Sequence, residues 1–329
     1  MKAIKYVVWG VGGIVALVVL AIIAAVMVVD GGFVKSRAER YMKEEKQRTL
    51  KIEGTPALKL FPVFSLSLGK TSLSEPKSDK VFVALDSMQV AVKVMPLLSG
   101  TVSVDQVALS GLKANIIKNK EGKFNFDDLA GKKEDKPESD PPKVRVAAIL
   151  IENAQIAYAD EASGQRLTVG DVNVKAGGLA DDQPGPLTVS ANISGRKPEI
   201  ALKLQVGGMA KMDLARQVFA LAKLDGRVTG NADMLKGLDL RISGDLAADG
   251  RSQEYKVDGL NLNAKGMIER DALAAVFSAP KLRVTSSKAE GEAVTGSVAV
   301  KGPGRNVDLK GTSINSPEFL SSLSHPKTL

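Results

Sequence analysis

The sequence predicts an all-β protein behind an amino-terminal transmembrane helix. Two patterns predict it: an uncharged apolar run near the start, and period-two alternation of apolar and polar residues through most of the remaining chain. Composition removes the main competitors. Of 329 residues, 44% are hydrophobic and 4% aromatic, with no Cys and one His. A thiol nucleophile, a zinc–thiolate site and a disulfide are impossible, and His325 alone supports neither a Ser-His-Asp triad nor a multi-histidine metal site. The expectation is a protein that is not an enzyme, with no catalytic residue, no metal and no cofactor. The formal charge of 45 − 37 = +8 suits phosphate-bearing partners without choosing between lipid headgroups and nucleic acid.

The membrane segment comes first. Tyr6 to Val29 contains no charged residue, and at 1.5 Å per residue the stretch Val7 to Val29 spans roughly 35 Å, enough for a bilayer core. Trp9 is placed at the amino-terminal interface and Lys2 and Lys5 lie just before the span, so residues 1–30 read as an anchor. The run is longer than a signal-peptide core and has no good small-x-small cleavage site. Gly10-Val11-Gly12-Gly13 sits inside it and precedes no βα unit, which favours helix packing over a phosphate loop. Lys35, Arg37, Arg40, Lys43, Lys46 and Arg48 outnumber the lysines before the span, so charge alone would hold the bulk of the chain inside. Long domains translocate largely regardless of charge, and the absence of Cys suits an oxidising compartment. The expected topology is single-pass, with the bulk outside the cytoplasm.

Residues 33–48 read as a short charged helix leaving the membrane surface, and from Leu50 the period becomes two. Ile200, Leu202, Leu204 and Val206 alternate with polar or small residues, as do Leu238, Leu240 and Ile242, and Val189, Ala191 and Ile193. These are strands with one apolar and one wet face. Shorter runs from Phe64 to Leu309 carry the same signal. Asp225-Gly226 and Asp249-Gly250 are the expected hairpin turns, and Val257 and Leu260 fall on opposite phases across Gly259, which predicts a bulge there. Residues 131–142 hold seven charged residues and three prolines, the composition of a linker. The expected organisation is therefore an anchor at 1–30, a module at 31–130, a linker at 131–142 and a long β region at 143–329.

A strand with one apolar face must hide it. Two sheets can bury their apolar faces against each other as a sandwich, the commoner solution, or one elongated, curved antiparallel sheet can keep an aliphatic concave side as a β-groove that shelters acyl chains. The few aromatics and the length of the β region, with little sign of core helices, make the extended form credible; alternation alone leaves both open. In the groove form, Val189, Ala191, Ile193, Ile200, Leu202, Leu204, Val206, Leu238, Leu240 and Ile242 are the expected lining.

The order of short motifs resembles the AsmA family of bacterial envelope proteins. The motifs are Leu50-Lys51-Ile52-Glu53-Gly54, then Met95-Pro96-Leu97-Leu98-Ser99-Gly100, then Gly122-Lys123-Phe124-Asn125-Phe126-Asp127-Asp128-Leu129. Asp249-Gly250-Arg251, followed by Tyr255 to Leu262, is similar to the family's second region. Each motif also has a structural reading. Gly122 makes a turn, Phe124 and Phe126 anchor the return, Asn125 accepts backbone N–H groups at the start of a short helical turn, and Pro96 starts a turn or short helix. Asp127 and Asp128 are paired carboxylates with no acid–base companion nearby in sequence.

The resemblance implies a relative of bridge-like lipid-transfer proteins: anchored in the inner membrane, mostly periplasmic, passing phospholipid along a β-groove toward the outer membrane and supporting outer-membrane integrity and assembly. The implied partners are phospholipid, the inner membrane and outer-membrane or envelope proteins. Nucleic acid is not expected, because the chain lacks an aromatic stacking platform. Ser316-Pro317 has the form of a helix start shortly before Leu329, where family members commonly continue, which points to a truncated or naturally short member. The rival reading is a structural or chaperone-like scaffold that binds no lipid and holds partners by an exposed edge strand.

Overall fold

The structure, a computed structural model, describes residues 31–59, 63–98, 101–129, 143–179, 184–213 and 216–313. The anchor with Lys2, Lys5 and Trp9, the glycines at 10–13, the linker at 131–142 and the helix start at Ser316 lie outside them. Among the described residues, no helix is long and apolar enough to cross a membrane. Two helices and 20 strands are present in that set, and the chain divides into two compact units.

The first unit comprises Met1–Pro142 and Ile151–Thr168. Its helix α1 (Gly31–Glu45) sits at the predicted charged stretch, with Lys35 Nζ donating to the Gly54 carbonyl and Glu39 accepting the N–H of Ile52. Strands β1 (Leu50–Ile52), β2 (Ala57–Lys59), β3 (Val63–Leu68), β4 (Thr71–Ser74), β5 (Val81–Leu85) and β6 (Ser87–Lys93) come next. Helix α2 (Val94–Leu98) occupies the Pro96 element before β7 (Thr101–Ser110) and β8 (Lys113–Lys118). Two ladders result: β2–β3–β6–β7, and β1–β4–β5–β8. The first aligns Phe64 with Val92 and Leu66 with Val90, all buried; Phe82, Ile52 and Ile116 are buried on the second. Strand β9 (Lys143–Val146) belongs to the second unit, whereas most of β10 (Ile149–Asp160) lies in the first and pairs parallel with β8. That pairing departs from the expected antiparallel order.

Arg48 organises this unit, and its side chain is wholly buried. Nε donates to Asp128 Oδ2 at 2.8 Å, Nη2 pairs with Asp128 Oδ1, and Nη1 donates to the Ser74 carbonyl at 2.8 Å. The Asn125 carbonyl accepts a further bond from Nη2, and the guanidinium lies 5.0 Å from the centroid of the Phe82 ring. A buried guanidinium is tolerated only when its nitrogens find acceptors, and each of the three does here. Gly122 turns with φ +83°, and the chain returns beside β8 so that Asn125 meets open strand backbone. Its Oδ1 accepts the N–H of Ile117, and Nδ2 donates to the Asn115 carbonyl and to Glu75. Asn125 thus accepts a backbone N–H as expected, but from the strand and not from the turn, where Asp127 accepts the N–H of Phe124. Phe124 and Phe126 stack on each other at 5.0 Å. Burial pushes the Glu75 carboxyl above its ordinary range. Burial also works against ionised Asp128, but the hydrogen bonds and charge of Arg48 outweigh it and hold that carboxyl below the usual value.

The second unit comprises Lys143–Leu150 and Val169–Leu329. Strand β11 (Arg166–Ala176) reaches it in the middle and leads into a meander of long strands: β12 (Gly185–Arg196), β13 (Ile200–Asp213), β14 (Val218–Ala232), β15 (Leu235–Asp249), β16 (Glu254–Ile268) and β17 (Asp271–Val284). Each pairs antiparallel with the next. Strands β18 (Ala289–Glu292) and β19 (Val294–Lys301) share β17 end to end, and β20 (Asn306–Ser313) pairs with β19. Asp249 closes the predicted turn between β15 and β16 by accepting the N–H groups of Arg251 and Ser252, and those bonds hold its carboxyl below the ordinary range. Asp225-Gly226 is corrected: both lie inside β14, in register with Ser243 and Ile242. A Cβ on Gly226 would stand 2.4 Å from Ile242 Cγ2, so this glycine makes room for a side chain, not for a turn.

The predicted irregularity at Gly259 is present and is shared. Gly259 has φ +60°, and the β15–β16 register shifts between Ser243 and Asp245. Shifts at the same level separate Gly207 from Met209 and Leu221 from Leu224. The constant β16–β17 register sets Gly259 opposite Pro280, which has no N–H to donate, and Pro280 falls opposite Ala293, the φ +47° residue between β18 and β19. A bulge bends a strand and changes its phase, so aligned bulges crease the sheet along one line. The N–H of Lys223, displaced at the β14 bulge, is taken by Asp245 at 2.6 Å.

These contacts set measurable stabilities. Arg48→Met leaves the buried Ser74 carbonyl without its donor and Asp128, which water still reaches, without its cation, and should cost about 2–3 kcal/mol in chemical denaturation. The lowered carboxyl of Asp128 contributes stability that is present above its unfolded value near 3.9 and lost as pH falls through the folded one, so Asp128→Asn should flatten the acid limb below about pH 4. Unfolding midpoints measured across that range check it. At the crease, Gly259→Val should cost about 1–2 kcal/mol from the left-handed conformation alone, since nothing crowds a Cβ there, and Gly259→Asn should cost less.

Candidate functional site

Directly opposed residues on neighbouring strands project from the same face of a sheet, so the register decides whether separate apolar stripes join. Here they do. Val189, Val206, Gly226, Ile242, Leu262 and Phe277 form one transverse row from β12 to β17. Ala191, Leu204, Val228, Leu240, Ala264 and Ala275 form the next, which continues through Val298 and Leu309 to β20. Ile193, Leu202, Gly230 and Leu238 make a third, and Ile200 follows Leu202 on the same face of β13. The ten residues expected as groove lining are thus placed on one face of one meander.

The other face is wet. Gln205, Arg227, Arg241 and Asn263 are opposed in sequence across β13 to β16, and all are exposed. Arg227 clasps Asp239 through two bonds of 2.9 and 2.8 Å, which raises the guanidinium and lowers the carboxyl relative to their ordinary values. Arg283 and Lys256 both pair with Glu254, holding its carboxyl low through the hydrogen bond from Arg283 first.

Beyond the crease the odd and even positions exchange, and the apolar face persists. Leu221, Leu246, Val257 and Leu282 are opposed there, and Val257 and Leu282 pack against the same Leu260, Ala279 and Val294 cluster that Ile242, Leu262 and Phe277 touch from the other side. One further pair along, Phe219 and Tyr255 face Ala248 from either side and are 41% and 48% exposed, an aromatic end to the aliphatic face. None of these residues was expected as lining from the sequence. The phase inversion hid them, and only the Val257/Leu260 mismatch signalled it.

Of the ten expected lining residues, Ala191 alone is buried, and the other nine are half-buried. The side chains shelter one another within the face without being sealed by a second layer among the described residues. Lining of this kind offers aliphatic contact and no chemistry. Asp127 and Asp128, the paired carboxylates, are committed to Phe124 and Arg48. No group of His, Cys, Asp or Glu among the described residues is arranged to hold a metal.

Comparison with known proteins agrees with the motif order. Among curated proteins and among solved structures nothing matches the chain. A sequence model of the AsmA family matches residues 1–294, nearly nine-tenths of its length, and by that match the chain belongs to the AsmA family.

Proposed function

We propose that the aliphatic face of the second unit binds the acyl chains of phospholipid, and that the protein is a non-enzymatic, inner-membrane-anchored periplasmic member of its family that holds or conducts lipid in support of the outer membrane. The observation that carries this reading is the half-exposure of a continuous apolar face. A protein that gains nothing from such a face would be expected to cover it. Eight strands spaced about 4.8 Å apart give the face a contour of roughly 34 Å, longer than one extended acyl chain. Each buried methylene contributes about 0.8 kcal/mol, so affinity comes from length along the face, with the headgroup at the wet rim. Family membership supports an envelope role of this kind.

The test uses the full chain, expressed in bacterial cells and purified in detergent. A photocrosslinking residue at Leu240 should capture phospholipid, detected by mass spectrometry, while one at Arg241 on the opposite face should capture about tenfold less or none. Leu202→Asp and Leu240→Asp should abolish capture with the strand content unchanged by circular dichroism. Equal capture from both faces, or capture of protein alone at Leu240, overturns the reading; unfolding of both Asp variants identifies the face as sealed core.

A further inference from the structure

The row Leu240–Ala264–Ala275–Val298 ends on β20, the last strand of the meander, at Leu309. Strand β20 pairs with β19 along its whole length with no register shift, and among the described residues it has no second strand beside it. Its start is fixed. Buried Asp271 accepts the N–H of Gly304 at 3.0 Å, and Gly302 N–H donates to the Arg305 carbonyl, which pins the turn from β19. Leu309 is 63% exposed and Val307 39%.

Edges of sheets are usually blunted by a proline, a bulge, inward charges or very short length. Over its eight residues β20 has no proline and no bulge, and its only charges are Asp308 and Lys310. Among the described residues neither charge has an ion-pair partner. They flank Leu309 symmetrically.

We infer that the β20 edge pairs antiparallel with the β20 edge of a second copy of this chain, in a register centred on Leu309. Charge and face together select that register. A two-fold axis through Leu309 sets Leu309 opposite its mate, Val307 opposite Gly311, and Asp308 opposite Lys310 on both sides, so the shared wet face gains two complementary pairs. Moving the centre to Asp308 opposes two aspartates, and moving it to Lys310 opposes two lysines. A centre between two residues brings apolar side chains against charged ones. Because the axis stands perpendicular to the sheet, the two apolar faces lie on the same side and their rows join. The inference concerns assembly and stands whether or not the face binds lipid, since its readout is mass.

The chain has no Cys, so one introduced thiol reports cleanly. In the full chain in detergent, Leu309→Cys should form a covalent dimer under mild oxidation, while Val298→Cys, one strand in from the edge, should not. Asp308→Lys and Lys310→Asp, each opposing like charges at two sites, should each weaken the dimer about tenfold in sedimentation, and the double exchange should restore it. Circular dichroism of each variant checks that strands are retained. A Leu309→Cys chain that stays monomeric with its thiol open to maleimide overturns the inference. So does one whose thiol is shielded by the chain itself, and so does a dimer indifferent to both single reversals.

Discussion

The second unit depends on keeping side-chain phase across strands of 11 to 15 residues. Alternation has a period of two, so a single slip sends every later side chain to the wrong face. The sequence does slip, between Leu260 and Val257, between Leu224 and Leu221, and between Ala279 and Leu282. Were these slips absorbed at different levels, apolar rows would be interrupted by charged ones. They are absorbed along one line instead, by Gly259 with its positive φ, by Pro280 without an N–H, by Ala293 at the gap between β18 and β19, and by Asp245 capping the displaced Lys223 amide. The aliphatic face exists because the crease exists.

The two units solve opposite problems. The first closes a core from both ladders and then commits its buried guanidinium to a loop more than 70 residues away, where Arg48 ties the end of α1 to Asn125 and Asp128. The second leaves most of its apolar positions half-covered and has few fully buried large side chains, Leu224 and Leu260 among them. Its stability rests on ladder bonds and on neighbours within one face. Such a unit gains from any ligand that completes the burial, since whatever binds only the folded form stabilises it in proportion to occupancy.

Most of this was legible because strong alternation is a local signal. The runs at 189–193, 200–206 and 238–242 carry it residue by residue, and a register that is close to constant then joins them. The features that escaped were either non-local or locally misleading. Arg48 read as one base among six, since its carboxylate partner Asp128 lies 80 residues downstream. Asp225-Gly226 has turn chemistry, but the glycine is required by Ile242 on the next strand. Most of β17 carries little local signal, because Ala-Leu-Ala-Ala-Val-Phe-Ser-Ala-Pro has low β-propensity and ends in a residue that disfavours strands; pairing with β16 and β19 overrides that preference. The anchor, the linker and the carboxyl-terminal helix start fall outside the described residues.

The make-up of the face bears on what the proposed ligand experiences there. The rows are built from Val, Leu, Ile, Ala, Gly and Phe, with no charged residue in them from β12 to β17. A site without polar anchors holds an acyl chain by area, and sliding by one methylene changes the contact little. On the proposed reading, discrimination between lipids comes from the rim, where the headgroup meets charge. Tyr255 is flanked in the chain by Glu254 and Lys256, and Glu254 pairs with both Lys256 and Arg283 on the wet face, so the aromatic edge stands beside a cluster of both signs. On the proposed reading, the smooth face supplies passage and that edge supplies choice. The overall charge of +8 is then secondary, because much of the wet face neutralises itself in pairs such as Arg227 with Asp239.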